Sequence, residues 1–135
     1  MGPQVIYFSR KGSTKKIADA IATELGVPAE DVATATLKQA SVIFLGSGCY
    51  GGKPGKKITQ FIENNDFTNQ TVALFGTSGG GTGQESEAMN ALLTPKGAIV
   101  KGTFCCKGKF WLSNKGKPTD DDITAAKHFA QQMIS

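Results

Sequence analysis

Val5-Ile6-Tyr7-Phe8-Ser9-Arg10-Lys11-Gly12-Ser13-Thr14-Lys15-Lys16-Ile17-Ala18 is the stretch that decides the fold. Its opening apolar run marks a strand covered on both faces, because a strand with one wet face would alternate. Ile17, Ile21 and Leu25 then recur at the spacing of one helical face, with Ala18 and Ala22 beside them. A buried strand therefore passes through Ser9–Thr14 directly into an amphipathic helix. At such a junction the first N–H groups of the helix lack partners and the helix dipole is positive, so an anion is favoured. Ser9, Ser13 and Thr14 add hydroxyls, and Gly12 lets the backbone approach a ligand closely. Ordinary capping by Ser13 or Thr14 would satisfy the helix alone. It would not call for hydroxyls on both sides of a glycine.

The same rhythm repeats along the chain. Val42–Leu45 and Val72–Phe75 are further continuous apolar runs. Ala98–Phe104 carries Lys101 and Gly102, which places it at or near a sheet edge, and a weaker strand is expected around Glu30–Thr34. Helices are expected around Ile58-Phe61-Ile62 and Met89-Leu92-Leu93. A last helix follows Pro118, capped by Thr119 and led by Asp120, Asp121 and Asp122, which suit the positive end of its dipole. Its apolar face is expected to be Ile123, Ala126, Ala130 and Met133 or Ile134. Strands alternating with helices give an α/β, doubly wound, parallel sheet with helices on both faces. With no internal repeat, long linker or low-complexity tail, one domain over residues 1–135 is expected.

In such a sheet the ligand lies beyond the carboxyl ends of the strands, where strand order reverses. Three small, polar, glycine-rich segments stand there: Ser9–Thr14, Gly46–Gly52 and Gly76–Gly81. Gly46-x-Gly48-x-x-Gly51 also spells a dinucleotide fingerprint, with Asp66 at a fitting distance. A fingerprint normally follows the first strand and opens a helix at once, whereas Gly52-Lys53-Pro54-Gly55 intervenes here. No segment satisfies the P-loop pattern, and the strand ends lack the carboxylates of a phosphoacceptor domain. His128, the single histidine, lies far along the last helix and reads as a surface residue; a hydrolase triad has little support.

Val5 to Ile21 resembles the signature of the flavodoxin family: an apolar pair, the aromatic Tyr7, Ser9, Gly12, Thr14, Ala18 and Ile21 at the family's spacing. Ser13 stands where many members carry Asn. The resemblance implies a five-stranded sheet of order 2-1-3-4-5 and an FMN cofactor, with Ser9, Arg10, Lys11, Gly12, Ser13 and Thr14 around its phosphate. By the same resemblance Ser47, Gly48, Cys49, Tyr50 and Gly51 form the next flavin-binding segment, with Tyr50 stacked on the ring. Thr77, Ser78, Gly79 and Gly80 hold the ring's far side. The uninterrupted run Ala98–Phe104 fits the short-chain type. The implied function is electron transfer between redox partner proteins. The third segment lacks an aromatic, however, which leaves room for an FMN-dependent reductase acting on a quinone, a flavin or a small electrophile. A non-redox binding module on the same scaffold is the third reading.

Composition sets the setting. Over 135 residues the formal charge is +4 and the sequence pI about 9.0, unlike the acidic proteins of that family. Basic residues gather at Arg10, Lys11, Lys15 and Lys16, at Lys53, Lys56 and Lys57, and at Lys107, Lys109, Lys115 and Lys117. They read either as a solvated lysine-rich surface or as groups serving an anionic ligand or an acidic partner; nucleic acid is less favoured, because no aromatic platform is interleaved. Cys49, Cys105 and Cys106 follow no metal-ligand spacing, and no apolar run approaches membrane-spanning length. A reduced, cytoplasmic monomer is expected, with inert thiols. Phe110-Trp111 either anchors its loop or covers part of the flavin.

Overall fold

The structure is a computed structural model and describes residues 2–108 and 116–135. Lys109, Phe110, Trp111 and Lys115 lie outside the described residues.

Strands β1 (Gln4–Phe8), β2 (Ala29–Asp31), β3 (Ile43–Tyr50), β5 (Thr71–Ser78) and β6 (Ile99–Lys107) form a parallel sheet of order β2-β1-β3-β5-β6. The two-residue strand β4 (Lys53–Pro54) pairs antiparallel with the end of β3. With β4 set aside, this is the order 2-1-3-4-5. The reversal falls between β1 and β3, whose register runs from Gln4↔Ile43 to Phe8↔Ser47.

Successive side chains leave a strand on opposite faces, so each strand feeds two cores. Val5, Tyr7, Phe44, Ala73 and Phe75 meet helices α1 (Ser13–Leu25) and α4 (Asp120–Ile134). Ile6, Ile43, Leu45, Val72 and Leu74 meet α2 (Lys56–Asn64) and α3 (Gln84–Leu93). That double coverage is why the runs are continuous in sequence. Helix α1 buries Ile17, Ala18 and Ile21 and stops at Gly26 (φ 70°), where the Val27 N–H donates back to Ala22 at 3.0 Å.

β6 is one of the two edge strands, β2 being the other. Its register against β5 skips Lys101, whose Nζ reaches the Met133 carbonyl at 2.8 Å and ties down the end of α4. Thr119 caps α4 as expected: its hydroxyl accepts from the Asp122 N–H at 3.2 Å, and its own N–H donates to the Asp122 carboxylate at 2.8 Å. The face of α4 differs from expectation at one position: Phe129 also enters the core beside Ala126 and Ala130, its ring 5.7 Å from that of Phe104. Of the two residues left open at the helix end, Met133 packs against the core and Ile134 is exposed.

The strands also run further than their apolar runs. Gly46-Ser47-Gly48-Cys49-Tyr50 belongs to β3 and Gly76-Thr77-Ser78 to β5. A Cβ on Gly46 would lie 2.1 Å from the Phe75 ring. Gly46 is therefore a packing clearance inside the sheet.

Candidate functional site

Three strand ends converge on one cleft of about 430 Å³. The end of β1 supplies Ser9, Arg10 and Lys11, and the first turn of α1 supplies Ser13 and Thr14. The end of β3 supplies Gly48, Cys49, Tyr50 and Gly51, and the end of β5 supplies Thr77, Ser78 and Gly79. No carboxylate is among the cleft's lining residues, whereas Arg10 and Lys11 are.

The first segment is shaped from within. Gly12 adopts φ 92°, a left-handed conformation that a residue with a Cβ enters at a cost, and its N–H donates to the Ser9 hydroxyl at 3.0 Å. Gly12 occupies the N-cap position of α1, which receives no side-chain cap. Among the described residues no side chain caps this end of the helix, whose positive dipole end faces the cleft. The Thr14 and Thr77 hydroxyls meet at 2.7 Å, so one donates while the other keeps its proton for a ligand.

The second segment is a tight hairpin. Tyr50 pairs with Lys53 across Gly51 (φ 63°) and Gly52 (φ 80°), a two-residue turn with both central residues left-handed. Tyr50 folds back over Gly48: a Cβ there would lie 2.6 Å from the tyrosine hydroxyl. That hydroxyl accepts the Arg10 N–H at 3.1 Å. The Arg10 guanidinium sits 5.1 Å from the Tyr50 ring centroid, and the Phe8 ring meets the same ring edge-on at 5.8 Å. Burial, the largest influence, pushes the Tyr50 phenol above its ordinary range.

Of the residues expected to hold a cofactor, Gly12, Ser47 and Gly80 do not line the cleft. Gly12 shapes it. Ser47 is fully buried; its hydroxyl donates to the Gly48 carbonyl and accepts the Gly55 N–H, both at 2.8 Å, fastening α2 to β3. Gly80 is exposed at the tip of the third segment, which the Ser78 hydroxyl braces by accepting the Gly81 N–H at 2.8 Å. One residue beside the cleft is not among the sequence candidates. Gly108 is buried against Ser13 and Thr77, each of whose Cβ atoms would lie 2.9 Å from a Cβ added to it, so it sets how closely the last strand approaches the cleft. The signal was a glycine just beyond the last strand. Lys15, a member of the basic cluster around the first segment, pairs with Asp19 at 2.9 Å one helical turn on.

Burial disfavours ionisation of the thiols. Burial is the first cause for all three, raising Cys49 and Cys105 above the ordinary thiol range and pushing Cys106 up to about 12. Their expected inertness accords with this, since the thiolate is the reactive form.

Glu85 was not anticipated. It follows the N-cap Gly83 of α3, is wholly buried, and fills the space over Gly76, where a Cβ would lie 2.3 Å from its carboxyl oxygen. Neither of its oxygens has a hydrogen-bond partner among the described residues. Desolvation is the main reason its carboxyl holds a proton above the usual carboxylate range. Below the unfolded-state value near 4.5, both states are protonated. As pH rises past it, the unfolded chain ionises first and stability is lost. Glu85→Met, of similar shape, is expected to stabilise the protein by about 1–3 kcal/mol at pH 8 and by less at pH 4. Urea melts at the two pH values check this.

Comparison with known proteins agrees with the fold. A family model described as a flavodoxin domain matches residues 4–116. An uncharacterized protein of Methanocaldococcus jannaschii is 33% identical over 135 residues, with 90% of each chain covered. A flavodoxin from the domain Archaea superposes with a TM-score of 0.82 at 21% identity, over 99% of this chain and 96% of that one. Rubredoxin oxygen:oxidoreductase from Desulfovibrio gigas gives 0.78 at 20% identity; 98% of this chain matches 35% of that longer one. No described helix is long and apolar enough to cross a membrane.

Proposed function

The chain belongs to the flavodoxin family, and on that premise we propose that it is an FMN-binding electron carrier working between redox partner proteins. One observation carries the reading. The uncapped positive end of α1 opens into a cleft lined with hydroxyls, Arg10 and Lys11 and with no carboxylate. That donor set fits a phosphate dianion.

In this reading the N–H groups of the first turn, together with Ser9, Ser13 and Thr14, hold the phosphate. The Tyr50 ring and the Gly48-Cys49 and Ser78-Gly79 backbones flank the flavin. FMN, when bound, supplies the redox chemistry and gains negative charge on reduction. Tyr50, its hydroxyl accepting the Arg10 N–H, would present its ring to the flavin. Gly51 and Gly52 hold the turn beside it at positive φ. The protein needs no nucleophile or general acid of its own, in keeping with three thiols whose ionisation burial disfavours.

Arg10 and Lys11 line the cleft and exposed Lys53 lines the neighbouring groove, so a bound flavin would feel positive charge screened over a Debye length of ~8 Å at physiological salt. Reduction is therefore easier here than beside carboxylates. The potential of the bound flavin is expected to be less negative at low salt than at high salt, and titration against reference dyes at two salt concentrations reads this directly. The same charge steers an acidic partner, with an association rate that falls as salt rises. The protein's three free thiols suit a reducing cytoplasm.

The visible spectrum of the purified protein with added FMN tests the cofactor. Turnover assays test the role. A carrier passes electrons to a partner protein and shows no steady NAD(P)H oxidation with small acceptors alone. Such turnover would replace the carrier reading with a flavin-dependent reductase.

A further inference from the structure

Tyr50 and Arg10 form a wall with cavities on both sides. Behind them, away from the phosphate segment, a groove of about 910 Å³ runs between α2 and α3. Its floor is the Phe8 ring, Pro54 and Leu92, and Ala88 and Ala91 on α3 keep it wide. Phe8 is held in place by Gly55, where a Cβ would lie 2.2 Å from the ring. The size and the mostly apolar wall are those of a small-molecule site.

Every charged residue along this groove is basic: Arg10, Lys53, Lys56 and Lys57. None of the four forms an ion pair among the described residues. Lys56 and Lys57 moreover occupy the first turn of α2, which has no acid and no side-chain cap. Helix α4 follows the opposite rule, with Asp120, Asp121 and Asp122 in its first turn. Lysines beside the positive end of a helix dipole weaken the helix. Their arrangement around an apolar floor is instead complementary to a molecule that is apolar in its body and negative at its edge.

We propose that this groove binds a planar aromatic anion, such as an aryl carboxylate or sulfonate, at a site separate from the FMN cleft and in contact with the other side of the Tyr50 wall. The aromatic body lies on Phe8, Pro54 and Leu92, and the anionic group faces Lys56 and Lys57. The proposal stands whether or not the cleft holds FMN, because the two cavities share only the wall.

The test is calorimetric titration of the FMN-saturated protein with anilinonaphthalene sulfonate. One probe molecule is expected to bind per chain without displacing FMN. Lys56→Gln combined with Lys57→Gln should weaken it about fivefold or more, and added salt should weaken it as well. The uncharged phenylnaphthylamine should bind more weakly and ignore the lysine changes. Ala91→Trp, on an exposed position of α3, should fill the groove and abolish binding. An unchanged melting temperature and FMN affinity show each variant to be folded. Displacement of the probe by FMN, or equal affinity in the wild type, the double lysine variant and Ala91→Trp, would overturn the proposal.

Discussion

Thr14→Ala is expected to bind FMN roughly ten- to a hundredfold more weakly than the wild type, while riboflavin affinity changes little. A hydrogen bond to a charged group is worth about 1.5–3 kcal/mol, and riboflavin lacks the charged group. Thr14 also meets Thr77 at 2.7 Å, so its loss removes the partner of a second buried hydroxyl. Thr14→Ser should restore most of the affinity, because it keeps the oxygen and gives up only a methyl. Thr77→Val frees the Thr14 hydroxyl from its partner and should cost far less than Thr14→Ala. Fluorescence titrations of the variants with both ligands decide the matter. Equal losses for FMN and riboflavin would move the phosphate elsewhere.

Gly46→Ala is expected to destabilise the fold by about 3 kcal/mol or more. The new Cβ would meet three carbons of the Phe75 ring at 2.1–2.4 Å, and that ring is fully buried between β5 and the α1–α4 layer. Packed interiors yield little, so overpacking of this kind costs as much as a cavity. Adding Phe75→Leu should recover part of the loss, as a smaller side chain vacates the space. Gly12→Ala and Gly26→Ala meet nothing within 4 Å and pay only for positive φ, so their losses should be smaller, about 1 kcal/mol. Urea melts order the series. A Gly46→Ala protein as stable as the wild type would mean that β3 and β5 do not pack as described.

These glycines mark where the sequence was legible and where it was not. Continuous runs such as Val42–Leu45 revealed buried strands because coverage on both faces is written into every residue of the run. Thr119 and Asp122 revealed a helix start because a capping box is local chemistry. The segments Gly46–Gly52 and Gly76–Gly81 were harder. A glycine that admits a ligand and one that admits a neighbouring side chain look alike in one dimension. Gly46 clears Phe75, Gly48 clears Tyr50 and Gly76 clears Glu85. Each partner lies on another element or two residues along the strand, so none could be read from spacing. Ser47 is among the residues the resemblance implies for the flavin, and its hydroxyl is held by the Gly55 N–H and the Gly48 carbonyl, a tertiary contact that spacing does not show. Glu85 carried no signal, since a glutamate in the first turn of a helix is ordinarily a solvated partner of the dipole.

The central claim is that the cleft at the head of α1 holds FMN by its phosphate. Paired titration of the wild-type protein with FMN and with riboflavin, followed by flavin absorbance and tyrosine fluorescence, tests it most directly. The account predicts one FMN per chain, bound at least about tenfold more tightly than riboflavin, with Tyr50 fluorescence quenched as the ring stacks. FMN bound no better than riboflavin, or no spectral change on adding either, would contradict it.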